Sequence, residues 1–292
     1  PIERTRDPQL IAQVQRLIRP FLLRRVKTDP AIQLDLPEKE ESKLYVPLTE
    51  EQASLYETIV GELFNRIDQA GSMQRRGLIL STLTRLKQLC NHPALLLRER
   101  EPIRWKNRSS KLERLVEMVG QIRQEGGKCL VFTQFVETGR LLQHVLGKTL
   151  DKRVDFLHGG TPKPERDRMI EAFQSSLHAE SGENGVLILS LKAGGIGLNL
   201  TAANHVFHFD RWWNPAVENQ ATDRTYRIGQ TRHVQVYKFV TLGTLEERID
   251  EMIELKTGLS QQIVGGGETW LTELSTSELK DIFSLRQEWV AE

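Results

Sequence analysis

The run CLVFT, Cys129 to Thr133, is short, apolar and rich in β-formers, and it reads as a strand buried on both faces. Runs of the same kind recur at Val154–His158, Val186–Ser190, His205–Asp210 and Val234–Val240. Helical patterns such as Glu137–Leu146 and Pro164–Phe173 separate most of them. This alternation is the βαβ signature, so an α/β fold is expected: a parallel sheet with helices on both faces.

The text N-terminal to this region is different. Asp7–Lys27 carries Ile11, Val14, Leu17, Ile18, Phe21 and Leu22 at helical spacing. Thr49 and Gln52 form a capping box before a helix that runs to about Gln69, with Leu55, Tyr56, Ile59, Leu63 and Ile67 on one face. A further helix carries Leu78, Ile79, Leu83, Leu86 and Leu89 and halts at Asn91-His92-Pro93. The first hundred residues therefore read as helical apart from a short extended piece near Leu44–Val46. From Leu95 to Arg114 the text is polar and basic and reads as a linker into a helix starting at Ser110. Beyond the strand-rich part, helices Leu245–Leu255 and Ser275–Glu288 flank a Gly265–Gly267 hinge, and Ala179–Gly185 reads as a flexible loop. The expected organisation is a lead-in segment 1–39, a helical insert 40–97, a basic linker 98–110, an α/β lobe 111–260 and a helical tail 261–292.

Composition sets limits. Of 292 residues, 40 are Lys or Arg and 39 Asp or Glu, so nucleic-acid binding would have to come from local patches and not from an overall field. The two cysteines, Cys90 and Cys129, give no disulfide framework and no metal spacing, which implies a reduced, intracellular compartment. No apolar run is long enough to cross a bilayer and no signal peptide opens the chain. It opens on Pro1, in charged helix-like text, as expected of a piece excised from something longer.

In doubly wound sheets, function gathers at the carboxyl ends of the strands. Here those ends carry Thr133-Gln134, His158-Gly159-Gly160-Thr161, Ser190 leading to Gly194-Gly195-Ile196-Gly197, and Asp210 leading to Trp212-Trp213-Asn214-Pro215. The glycine segment, with Gly195 and Gly197, lets backbone amides approach a phosphate, and Thr161, Ser190 and Lys192 add hydroxyl and ammonium contacts. The same glycines also suit a tight strand-to-helix turn. Trp213 suits stacking against a nucleotide or, equally, anchoring a loop, while His158 reads as structural. Gly147-Lys148-Thr149 mimics the end of a phosphate-binding loop, but Leu142 stands where GxxxxGK[ST] needs Gly, and the segment ends an amphipathic helix. No strand ends in a paired acid to hold magnesium, so no metal site is expected and no nucleotide hydrolysis by this chain alone.

The segment QATDRTYRIGQ, Gln220 to Gln230, follows the cap Asn214 and Pro215 and stops at Gly229, which predicts one helix. On a helix turning ~100° per residue, Arg224 and Arg227 fall within about 40° of Gln220. Two guanidiniums and an amide on one face suit a polyanion; a salt-bridged, solvated face is the other reading.

Taken together, these stretches resemble the second motor lobe of the SWI/SNF-type ATPases, a branch of the superfamily-two helicase-like proteins, over nearly the whole chain. Pro20–Arg25 through Leu36–Lys39 is similar to the family's transition into its second half, and Leu89–Pro93 to the end of its helical protrusion. Lys128–Phe135 is similar to motif IV, Ser190–Leu200 to motif V, Gln220–Gln230 to motif VI and Gly243–Ile249 to the segment that follows. The resemblance implies a RecA-like lobe facing a first RecA-like lobe of the same polypeptide across an ATP cleft, with ATP and Mg2+ held mainly by that first lobe. It makes Arg224 and Arg227 arginine fingers supported by Gln220. It also gives Thr161, Ser190 and Lys192 the backbone of one strand of double-stranded DNA, with Trp213 following the duplex. The compact insert resembles archaeal and bacterial members, which places the protein in the cytoplasm or nucleoid (the nucleus if eukaryotic) and on no membrane. Lys192 stands where an Arg is frequent, which keeps the charge and loses the bidentate fork. A lobe retained only as a DNA- or protein-binding platform is the alternative.

Overall fold

The structure, a computed structural model, describes residues 37–99, 103–175, 184–194, 197–256, 270–286 and 288. Asp7–Lys27, Gly195 and the Gly265–Gly267 hinge lie outside the described residues.

A sheet of six parallel strands organises them: β1 (Lys39–Val46), β2 (Cys129–Thr133), β3 (Asp155–Leu157), β4 (Val186–Ser190), β5 (His205–His208) and β6 (Val234–Thr241), in the order β1-β6-β5-β2-β4-β3. Side chains alternate across the central strands. Leu130 and Phe132 of β2 join Leu187, Leu189 and Val206 on one face, and Cys129 and Val131 join Val186, Ile188 and Phe207 on the other. Both faces are covered, which is why these strands read as unbroken apolar runs.

The helices follow from the patterns that announced them. Helix α1 (Glu50–Ile67) begins at the Thr49–Gln52 capping box, α2 (Ser72–Asn91) ends at His92, and α3 (Pro93–Leu97) starts on Pro93. Helices α4 (Ser110–Gln124) and α5 (Val136–Leu150) cover one face of the sheet. Helix α6 (Lys163–Gln174) covers the other with α8 (Pro215–Thr222), and α7 (Leu191–Gly194) is a single turn after β4. Gly147-Lys148-Thr149 lies inside α5 and follows no strand. Helices α9 (Leu245–Lys256) and α10 (Thr276–Phe283) share an apolar cluster with α1 and α2 through Ile249, Leu279, Phe283, Tyr56, Ile59 and Leu83. Cys90 and Cys129 are buried free thiols, each pushed up to about 12 by burial. Among the described residues no helix is long and apolar enough to cross a membrane.

One element exceeds its expectation. The extended piece near Leu44–Val46 is an eight-residue strand that pairs with β6 from Lys39–Val234 to Val46–Thr241. Its sequence KEESKLYV hides it, because an edge strand carries charge where a central strand carries Val or Ile.

Candidate functional site

The carboxyl ends of β2, β4 and β5 meet around Asp210. Its carboxylate is buried and accepts from Thr133 Oγ1 at 2.6 Å, the Gln134 backbone N–H at 3.0 Å and Asn91 Nδ2 at 3.1 Å. Burial pushes this carboxyl up, while the Thr133 bond and the charges of Lys111 and Lys87 pull it back. Gln134 donates to the Arg211 carbonyl at 2.7 Å, and Arg211 pairs with Glu218 of α8 and, at 2.7 Å, with Asp250 of α9. A buried charge has to be paired or saturated with hydrogen bonds, and each of these is. The 210–214 loop is thus clamped from β2, α2, α8 and α9.

The hydroxyls expected at the strand ends are in place. Thr133 and Ser190 are register partners, and Ser190 Oγ accepts from the Ala193 N–H at 3.3 Å. Thr161, after β3, accepts at Oγ1 from the His158 N–H at 3.0 Å, and His158 Nδ1 accepts from the Gly160 N–H at 3.1 Å. His158 therefore shapes a turn, as its sequence setting implied. Lys192 lies in α7. Trp213 is only 9% exposed; its ring packs with the α1–α2 cluster and stands edge-on to Trp270 at 5.4 Å. Trp213 is thus packed as an anchor of its loop, and Trp212 is the more exposed of the pair.

The expected helix from Asn214 to Gly229 is corrected. Asn214 caps α8 by accepting from the Ala216 N–H, but the helix ends at Thr222 and turns follow to Gln230. Tertiary contacts hold the turns that follow. The Arg224 carbonyl, which a continuing helix would use four residues on, accepts instead from the Leu200 N–H at 3.0 Å. The Gln230 side chain donates to the Thr201, Ala203 and Thr225 carbonyls at 3.1, 2.8 and 3.3 Å. The helical-face argument that joined Gln220 to the two arginines does not hold, and Gln220 is exposed on α8.

What the turns do bring together is the arginine pair and the glycine segment. Arg227 Nη1 donates to the Leu198 and Gly197 carbonyls at 3.2 and 3.4 Å. Arg224 is 7% exposed and its Nε is buried without a partner. Burial first, then the neighbouring charge of Arg227, push its guanidinium below its ordinary range, with Asp223 opposing. A largely buried arginine beside a second arginine suits phosphate oxygens.

Residues 1–95 match the SNF2-related domain and residues 110–229 the helicase conserved C-terminal domain. The chain is 42% identical to the Sulfolobus solfataricus SWI2/SNF2 ATPase C-terminal domain and superposes on it with a TM-score of 0.71, covering 85% of this chain and 100% of that one. The chain belongs to the SWI2/SNF2 ATPase family. It corresponds to the C-terminal, RecA-like lobe of such an enzyme. The Sulfolobus solfataricus SWI2/SNF2 ATPase core in complex with dsDNA is 44% identical, with a TM-score of 0.75 over 98% of this chain and 58% of that one. The putative ATP-dependent helicase/translocase YwqA of Bacillus subtilis is 54% identical over 285 residues, which are 98% of this chain and 30% of YwqA. This SWI2/SNF2 lobe therefore spans less than a third of that curated relative.

Sequence reasoning missed the hub of the SWI2/SNF2 lobe. Asp210 carried the signal, a carboxylate closing an apolar strand, but its partners Asn91 and Thr133 lie 119 and 77 residues away in the chain.

Proposed function

We propose that this lobe is the second motor half of an ATP-dependent double-stranded DNA translocase. In this reading Arg224 and Arg227 face the phosphates of ATP held, with Mg2+, mainly by a first lobe, and the nucleotide's phosphoryl transfer supplies the driving reaction. The observation that carries it is Arg224, a largely buried arginine whose backbone is tied to Leu200 beside the glycine segment and whose neighbour is Arg227. In this reading the cost of that arrangement is offset by an anion supplied from outside. Arg227 braces the Gly197–Leu198 backbone and adds charge beside it. Gln220 is exposed on α8, apart from the helical face that would have joined it to the arginines, and in this reading its support reaches the nucleotide from α8.

Thr161 and Ser190 each accept a backbone N–H and keep their own hydroxyl proton to donate, which suits a DNA phosphate oxygen. In this reading Lys192 of α7 adds charge, Gly195 and Gly197 suit the approach of backbone amides to a phosphate, and Trp213 anchors the loop that follows the duplex as the lobes close. The helical pair α1–α2 is the protrusion on this lobe. Alone, the chain turns over no ATP.

The test uses a protein carrying both lobes. Arg224→Ala and Arg227→Ala are each expected to lower DNA-stimulated ATP hydrolysis by about 10³-fold or more, the scale of an arginine finger, with duplex affinity little changed. Unchanged hydrolysis would overturn the assignment, as would turnover by this chain alone.

A further inference from the structure

We propose that Lys87 is a positioning residue that latches the α1–α2 protrusion to the tryptophan loop, so that the loop's response to duplex DNA is carried to the arginine turn. Lys87 sits on α2 and is 1% exposed. Its Nζ donates to Gln134 Oε1 at 3.0 Å and lies 5.2 Å from the Trp212 ring centroid and 5.6 Å from that of Trp213. Gln134 in turn holds the Arg211 carbonyl at 2.7 Å and, through its backbone N–H, Asp210 at 3.0 Å. One ammonium from a helix outside the sheet therefore fixes the end of β2 and both indoles of the 210–214 loop. That loop runs straight into α8, whose Glu218 accepts from the Trp212 N–H at 2.9 Å, and α8 runs into the turn that carries Arg224.

The chemistry explains why a lysine stands there. Packing alone would be served by methionine, which has similar length and needs no desolvation of a charge. An ammonium within cation–π reach of two rings and hydrogen-bonded to an amide oxygen is directional and favours one geometry of the three. A shift of α2 then moves both indoles, and a shift of the indoles moves α8.

This inference rests on the motor reading, and the experiment separates the two. In this chain, Lys87→Met is expected to make the tryptophan emission more quenchable by acrylamide, and Lys87→Arg to keep it as in the wild type. In a protein with both lobes, Lys87→Met is expected to lose most of its stimulation by duplex DNA while hydrolysis without DNA is kept, and Lys87→Arg to restore stimulation. Gln134→Ala cuts the same link from the other side; combined with Lys87→Met it is expected to cause no further loss, and it carries the test if Lys87→Met does not fold. Unchanged quenching in Lys87→Met overturns the latch. Equal falls in basal and stimulated hydrolysis overturn its coupling role, because a merely structural lesion lowers both. A wild-type protein whose hydrolysis ignores duplex DNA overturns the motor reading, and the coupling with it, whatever the quenching shows.

Discussion

Arg224→Met keeps most of the side chain's length and removes the guanidinium, and it is expected to stabilise this chain while abolishing DNA-stimulated hydrolysis in a protein with both lobes. The magnitudes follow from the surroundings of Arg224. It is 7% exposed, its Nε has no partner, and burial and then Arg227 push its pKa down. A buried donor left unsatisfied costs about 1–3 kcal/mol, and the methylenes of methionine keep the packing. The Leu200 N–H to Arg224 carbonyl bond is backbone and survives the change. A gain of about 1–3 kcal/mol in unfolding free energy is therefore expected. Against this, a finger worth 10³ to 10⁵ in rate amounts to about 4–7 kcal/mol of transition-state stabilisation. Urea unfolding of this chain measures the first quantity and phosphate release from the two-lobed protein the second. A loss of stability greater than about 1 kcal/mol in Arg224→Met would show that the guanidinium is structural and refute the reasoning.

Lys111 and Glu246 form a buried pair at 2.6 Å, 1% and 0% exposed, and Glu246 also accepts from the Thr241 N–H and hydroxyl. Removing one partner strands the other, so Lys111→Met should cost about 3–5 kcal/mol in urea unfolding, and the double change with Glu246→Leu should cost less than Lys111→Met alone. His208 is buried, stacked on Phe132 at 5.5 Å with Nε2 2.9 Å from Thr222 Oγ1, and burial lowers it to about 3, aided by the charges of Lys238 and Arg211. A histidine depressed in the folded state contributes stability above its unfolded pKa and loses it as pH falls toward the folded value. Between pH 7 and pH 5 the wild type should lose about 2 kcal/mol more stability than His208→Gln, measured by unfolding at each pH, and parallel profiles would contradict this.

Much of the fold is legible in the sequence because its central strands are buried on both faces, so CLVFT and VLILS need no context. The edge strand β1 is not, since the charges that hide it are satisfied by distant residues: Glu41 takes Lys238 at 2.6 Å, and Lys43 takes Asp250 at 2.7 Å. Arg224 and Arg227 stand out in the sequence as a pair of guanidiniums on one segment, and the structure keeps both on the turns after α8. The shape of this segment was not legible, because the turns after α8 are held by a carbonyl bound to the Leu200 N–H and an amide side chain spread over three carbonyls, contacts that local periodicity does not encode.

That shape gives the two arginines different work. Arg227 spends part of its guanidinium on the Gly197 and Leu198 carbonyls, so it fixes the glycine segment to the turn. Arg224 has its backbone tied through Leu200, yet its Nε is bound by nothing. In the proposed motor the resting state already carries the desolvation cost of that group. When a phosphate arrives across the cleft, little water has to leave and little backbone has to move, and most of the attraction is available to the charge that builds up in the transition state. Arg227→Ala should then act partly by loosening the glycine segment and Arg224→Ala almost wholly by removing charge. In the two-lobed protein Arg227→Ala is therefore expected to raise KM for ATP and lower kcat together, and Arg224→Ala to lower kcat with KM nearly kept, a split that identical profiles for the two variants would refute.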